Sequence, residues 1–292
     1  MNYYFECFNK KICLNLYHKA SNMLYFWIKR FCPNVKILKE DDNKIECDFI
    51  IKFIQSKKYN YIINNNCIKI YGILTDNESY IAKFITQCFQ KLLIEDDILI
   101  IPSACISEKS NAILIIGDFW QGKTSVAINI AKEYKLNLVS DNYVAIRNKC
   151  IIGSTSYISI RKEDINENLK SIYNVNDRYF YENHNYKNRK LKVVGFLLPY
   201  INNGDDNIHI ISKEESKWYL YQKFIRLLCG ETILFDGKLP SPIFLDKKIS
   251  QKILKIIENL LLDNVIKYAS TSMKKIVEEG VKILNKGEII NE

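Results

Sequence analysis

The chain has 292 residues, 48% of them hydrophobic, enough to bury a sizeable core in one large domain or two moderate ones. Lys and Arg number 42 against 33 Asp and Glu, and the formal net charge of +9 suits phosphate-bearing or acidic ligands without choosing among them. The basic residues are interspersed with acids and form no recognisable nucleic-acid module, and the apolar run at 98–101 stops at Pro102, so neither nucleic acid nor a membrane is expected as a partner.

Nine cysteines, odd in number and never spaced as CxxC, read as reduced, mostly buried thiols of a cytoplasmic protein. In chain order, residues 3–16 read as strand, and 20–31 as a helix with Leu24, Trp27, Ile28 and Phe31 on one face. Residues 45–54 read as strand, and 59–63 with 67–73 as a hairpin about Asn64, Asn65 and Asn66. A helix is expected from Thr75, with Glu78 completing a capping box, to Leu93. Two apolar runs, 98–106 and 112–116, are expected as neighbouring strands, and 123–132 has helical character. Residues 136–139 and 143–146 read as strands around Ser140-Asp141-Asn142. Residues 161–172 look helical, 179–189 read as a polar and aromatic loop, and 191–198 and 208–211 as strands. Helices are expected at 214–229, ended by Gly230, at 251–262 behind Ser250, and at 273–284. The predicted fold class is α/β: a P-loop domain over 96–292 with a central mixed sheet flanked by helices, preceded by a smaller α+β region over 1–95.

The chemistry concentrates in Gly117-Asp118-Phe119-Trp120-Gln121-Gly122-Lys123-Thr124, which matches G-x-x-x-x-G-K-[ST] in full. Backbone N–H groups in such a loop curl into an anion nest, and the following helix adds its positive dipole end. Gly117, Trp120, Gln121, Gly122, Lys123, Thr124 and Ser125 are the expected nucleotide-binding residues. Lys123 would bridge the β and γ phosphates, and the Thr124 hydroxyl would coordinate Mg²⁺. Asp141, at the end of the next strand, would sit beside that metal. A strand before the loop and a helix after it supply the context that separates this motif from a chance glycine turn.

Residues 112–124 followed by 138–146 resemble the HPr kinase/phosphorylase-like group of P-loop proteins, whose fold is related to that of phosphoenolpyruvate carboxykinases. The similar stretch covers roughly 98–165. Three positions depart from the group's pattern: Trp120 stands where a second glycine is usual, Pro102 where a histidine is common, and Asn142 where a second aspartate is usual. The resemblance implies a kinase that moves the γ-phosphoryl group of ATP to a hydroxyl, that of a serine in a protein or peptide, or of a small molecule. Lys123 and Asp141 would be its catalytic residues, Thr124 and Asp141 its Mg²⁺ ligands, and Arg161 a candidate for steadying the acceptor. The alternative is a nucleotide-binding sensor or adaptor without phosphoryl transfer, which the missing carboxylate and histidine favour. A third reading, an NTPase or a carboxykinase-like enzyme acting on a small acid, would need additional metal ligands and a His and Lys constellation that the sequence does not show. The region 1–95 is a candidate for acceptor recognition, and no heptad pattern argues for an oligomer, whose existence the sequence leaves open.

Overall fold

The computed structural model describes residues 1–39, 45–74, 77–118, 121–161, 171–175, 178–183, 190–202, 206–229, 242–262 and 264–289. The chain forms two compact units: Met1–Leu99 with Phe224–Lys252, and Ile100–Lys223 with Ile253–Glu292. The first unit is therefore discontinuous in sequence, a return that a linear division at residue 95 does not contain.

In the first unit, β1 (Asn2–Cys7) and β2 (Lys10–Asn15) form a hairpin whose turn residues Phe8 and Asn9 both have positive φ, 48° and 66°. Both belong to the left-handed turn class whose twist matches that of paired strands. Helix α1 (Asn22–Phe31) begins at Ser21, whose hydroxyl accepts from the Met23 N–H. Strands β3 (Val35–Leu38), β4 (Phe49–Gln55), β5 (Asn60–Asn64) and β6 (Cys67–Gly72) complete a mixed sheet of order β3-β1-β2-β4-β6-β5. β4 and β6 alternate buried with less buried residues, as a sheet covered on one face requires. The cover is α1 and α2 (Glu78–Leu93). Phe5, Leu14, Leu24, Ile28, Phe49, Phe84 and Phe89 are fully buried, each worth about 1.5–3 kcal/mol relative to exposure. Phe244, from the returning segment, meets the rings of Phe49 and Phe84 at 6.2 and 6.1 Å between centroids.

The cap of α2 differs from the expected capping box. Asn77 caps the helix, accepting from the Ser79 N–H, and Thr75 lies outside the described residues. Glu78 instead accepts from the Ser21 N–H and hydroxyl, so it ties the start of α2 to the start of α1.

The second unit is built on a mixed sheet of nine strands in the order β10-β8-β9-β16-β12-β11-β7, with β18 beside β16 and β17 beside β18. The bounds are β7 (Leu99–Pro102), β8 (Ala104–Glu108), β9 (Asn111–Ile115), β10 (Asn137–Ser140), β11 (Tyr143–Arg147), β12 (Cys150–Ser154), β16 (Leu191–Ile201), β17 (Asn207–Ile210) and β18 (Ile266–Thr271). The expected single run at 98–106 is two strands. The chain breaks at Ser103, whose N–H donates to the Asn142 carbonyl, and β7 lies at the opposite end of the strand order from β10 and β8. β8 and β9 are the antiparallel neighbours expected, with Ala104 opposite Ile115.

Helices α3 (Lys123–Glu133) and α6 (Met273–Ile289) pack on this sheet. Their shared core includes Ile113, Ile115, Val126, Ile130, Leu197, Ile276 and Val277. Gly280 lets α6 come close, for a Cβ there would stand 2.6 Å from Ile130 Cδ1. A smaller sheet, β13 (Tyr157–Arg161), β15 (Arg178–Glu182) and β14 (Tyr173–Val175), adds Ile158, Ile160 and Tyr181 to the same core. Strand β15 replaces the loop expected from 179. Arg161 ends a strand and does not begin a helix, and 162–170 lie outside the described residues, as do 184–189. Helix α4 (Lys213–Ile225) continues into a short 3-10 turn to Cys229. Helix α5 (Lys247–Leu260) starts earlier than expected, because the Asp246 carboxylate accepts from the Ile249 N–H and Ser250 lies inside the helix. No helix among the described residues is long and apolar enough to cross a membrane.

Glu279 of α6 is buried and ion-paired with Lys267 of β18 and with Lys282 at 2.7 Å. Burial pushes its carboxyl up, but the bonds from Lys267 and Lys282 outweigh that and hold it below the usual glutamate value. A lowered native value means that the contribution is complete above the unfolded value, about 4.3. It is lost as pH falls from there through the native value. We expect thermal melting of Glu279→Gln and wild type to differ by a constant amount near neutrality and to converge below the ordinary carboxyl range. Parallel melting curves across that acid range would contradict the ion-pair assignment.

Candidate nucleotide-phosphate site

The site lies where several strands end together. β9, β16 and β18 run parallel, and β10 runs the same way because both it and β9 are antiparallel to β8. Their carboxyl ends therefore share one edge of the sheet, the edge at which open α/β sheets hold ligands. Ile115, Ser140, Ile201 and Thr271 are the last residues of these strands.

Past β9 the chain makes the loop. Gly117 has φ 154°, and a Cβ on it would stand 2.5 Å from Gln121 Oε1. Gly122 has φ 81°, caps α3 with its carbonyl accepting from the Val126 N–H at 2.8 Å, and lies against the Ile201 side chain where a Cβ would collide. Both glycines thus hold backbone conformations that L side chains rarely adopt, and the atoms a Cβ would meet are the ends of the Gln121 and Ile201 side chains. Lys123, Thr124 and Ser125 form the first turn of α3, where orphan N–H groups and the dipole favour an anion. Phe119 and the expected nucleotide contact Trp120 lie outside the described residues.

The loop is closed on itself. The Asp118 N–H donates to Gln121 Oε1 at 2.5 Å, and the Lys123 ammonium donates to the Asp118 carbonyl at 2.6 Å. Both bonds are exposed, and each contributes about 0.5–1.5 kcal/mol net. A polyphosphate offers charge-assisted bonds to the same donors, roughly twice as strong as neutral ones.

Thr124 and Asp141 are brought together as expected. The Thr124 hydroxyl is 3.4 Å from the Asp141 carbonyl, to which it donates, and Asp141 is buried directly after β10. Its Oδ2 accepts from the Ser159 N–H at 3.1 Å, so β13 orients the carboxylate. Ser159 in turn accepts from Arg178 Nη1 at 2.7 Å. A hydroxyl and a carboxylate are hard oxygen donors of the kind Mg²⁺ takes beside phosphates and water; here the Thr124 hydroxyl donates to the Asp141 backbone carbonyl, and the carboxylate accepts from the Ser159 N–H. Arg161 is in register with Arg178 across β13 and β15. Asn142 is held by backbone contacts, its N–H donating to Ser140 Oγ at 3.1 Å and its carbonyl accepting from Ser103.

Two residues at the site carried no motif. Lys223 of α4, 6% exposed, places its ammonium 2.5 Å from Asp118 Oδ1 and 4.8 Å from the centroid of Tyr219. The Tyr219 hydroxyl is buried with no hydrogen-bond partner among the described residues, and burial, then the Asp118 charge, push its pKa well up. The only sequence signal was the four-residue spacing of Tyr219 and Lys223, which places them on one helix face.

No family model matches the chain, and no curated protein matches it.

Proposed function

We propose that this chain is a P-loop kinase of the HPr kinase/phosphorylase-like type, which binds ATP with Mg²⁺ and transfers the γ-phosphoryl group to a hydroxyl of a protein, peptide or small molecule. The observation that carries the reading is the meeting of Thr124 with Asp141 beside a loop whose two glycines both hold positive φ. In this reading the loop amides and the start of α3 hold the phosphates, and Lys123 moves from the Asp118 carbonyl to the β and γ oxygens. Thr124 and Asp141 would hold Mg²⁺, which neutralises charge on the transferring group. Fixed positioning and charge neutralisation do most of the work in such transfers, so few groups are needed. A cytoplasmic location belongs to the proposal, since nine cysteines without a disulfide suit a reducing compartment.

The sensor reading has its own support. Asn142 supplies no second carboxylate, and the loop satisfies its own donors through Gln121 and Asp118. Incubating purified protein with γ-labelled ATP, Mg²⁺ and fractionated acceptors separates the readings. Label on an acceptor supports the kinase, release of inorganic phosphate alone an NTPase, and saturable binding without turnover the sensor. Failure to bind ATP would remove all three.

The first unit is proposed to select the acceptor. Deleting 1–95 alone would strand Phe244, whose ring partners Phe49 and Phe84 lie in that region. A fair test removes 224–252 as well.

A further inference from the structure

We infer that Lys223 is a second phosphate-binding ammonium of this site, held in waiting by Asp118, and that it serves the terminal phosphate of a nucleoside triphosphate. The inference rests on the proposal that the loop binds nucleotide.

Asp118 collects the contacts that a polyphosphate would otherwise receive. Its carboxylate takes the Lys223 ammonium, its carbonyl takes the Lys123 ammonium, and its N–H is satisfied by Gln121. Lys123 and Lys223 thus converge on one loop residue, the first on its carbonyl and the second on its carboxylate. Lysine is rarely so deeply covered without a partner, and a desolvated ammonium is costly unless paired. Here the cover is unequal: the Lys223 side chain is 6% exposed and that of Asp118 is 60% exposed. The cation is therefore fixed by the scaffold, while the anion sits on the solvent side of a loop and is the replaceable member of the pair.

Tyr219 supports the same assignment. Its ring lies against the ammonium one helical turn before it, restricting where Lys223 can reach, and its buried phenol stays protonated. Its buried O–H has no acceptor among the described residues, which carries a penalty that a new acceptor within reach would relieve. The motif's own cation, Lys123, addresses the bridge between β and γ phosphates. In this inference an ammonium that arrives from α4, outside the loop, would add its charge at the end of the chain of phosphates, where a diphosphate has no group to offer.

The plainer role, an ion pair that fastens α4 to the loop, makes the opposite forecast for one variant. If Asp118 only occupies Lys223 until phosphate arrives, removing its charge frees the lysine and tightens ATP binding. If the pair is structural, removing either member weakens binding. The experiment is titration calorimetry of the full chain with Mg·ATP and Mg·ADP, on wild type, Lys123→Ala, Lys223→Met and Asp118→Asn, each checked by thermal melting. Lys223→Met is expected to weaken ATP about tenfold and ADP less than about threefold, a range set by the usual strength of hydrogen bonds to charged groups. Asp118→Asn is expected to bind ATP as tightly as wild type or more so, and it keeps the test decisive even if Lys223→Met fails to fold. Weaker ATP binding by Asp118→Asn overturns the inference, as does unchanged binding by Lys223→Met when Lys123→Ala has lost it. A wild-type chain that binds neither nucleotide overturns the loop reading, and the inference with it.

Discussion

Lys123→Ala is expected to raise the dissociation constant for Mg·ATP by about 100-fold or more while leaving the melting temperature close to that of wild type. The first half follows from charge. A polyphosphate in the loop would lose the one ammonium that the motif aims at it, and truncating one partner of a hydrogen-bonded charge pair costs about 2–5 kcal/mol, where each 1.4 kcal/mol is tenfold. The second half follows from the present contacts of that ammonium. Its bond to the Asp118 carbonyl is exposed and links two residues of one loop, so its loss removes little from the folded state. Helix α3 is held by Val126, Ile128 and Ile130 in the core, not by its first side chain. Calorimetric titration beside thermal melting reads both quantities. Unaltered affinity would mean that nucleotide, if bound at all, is bound elsewhere.

How far the sequence could be read depended on the distance over which each feature is encoded. The strand, loop and helix around Gly117–Gly122 are local, with apolar residues at 112–116, two glycines and a helical repeat all within about twenty positions, and the structure has each of them. The hairpin of β5 and β6 is equally local. The break at Ser103 had a signal in Pro102, which a continuous central strand rarely holds, but the apolar, buried residues on both sides read as one run. The cap of α2 was ambiguous because Thr75 and Asn77 are both good capping residues two positions apart. Tyr179, Phe180 and Tyr181 looked like loop beside polar neighbours, yet they form β15, because a paired strand needs only one buried face. β18, with the mixed sequence Ile-Lys-Tyr-Ala-Ser-Thr, gave no periodicity to read although it completes the edge where the site lies. Lys223 was the least legible, since its partner Asp118 is 105 positions away and a lysine on an amphipathic helix is ordinarily a solvated one.

Asp141→Asn is expected to lower phosphoryl transfer by about 10²–10³-fold, the usual loss when one preorganised electrostatic contact is removed, with a much smaller change in ATP affinity. The substitution is nearly isosteric, and the local structure has reasons to survive it. The contact from Thr124 goes to the backbone carbonyl of Asp141, which the variant keeps. The bond from the Ser159 N–H needs only an acceptor oxygen, which the carboxamide also provides. What disappears is the negative charge, and with it the attraction for a divalent cation beside Thr124. If that is its role, the Mg²⁺ concentration for half-maximal transfer rises in the variant and excess Mg²⁺ or Mn²⁺ restores part of the rate. If Asp141 instead accepts the proton of the attacking hydroxyl, the rate falls as far but no metal restores it. Transfer at the wild-type rate with unchanged Mg²⁺ dependence would exclude both roles, leaving Asp141 as a residue that only joins β10 to β13.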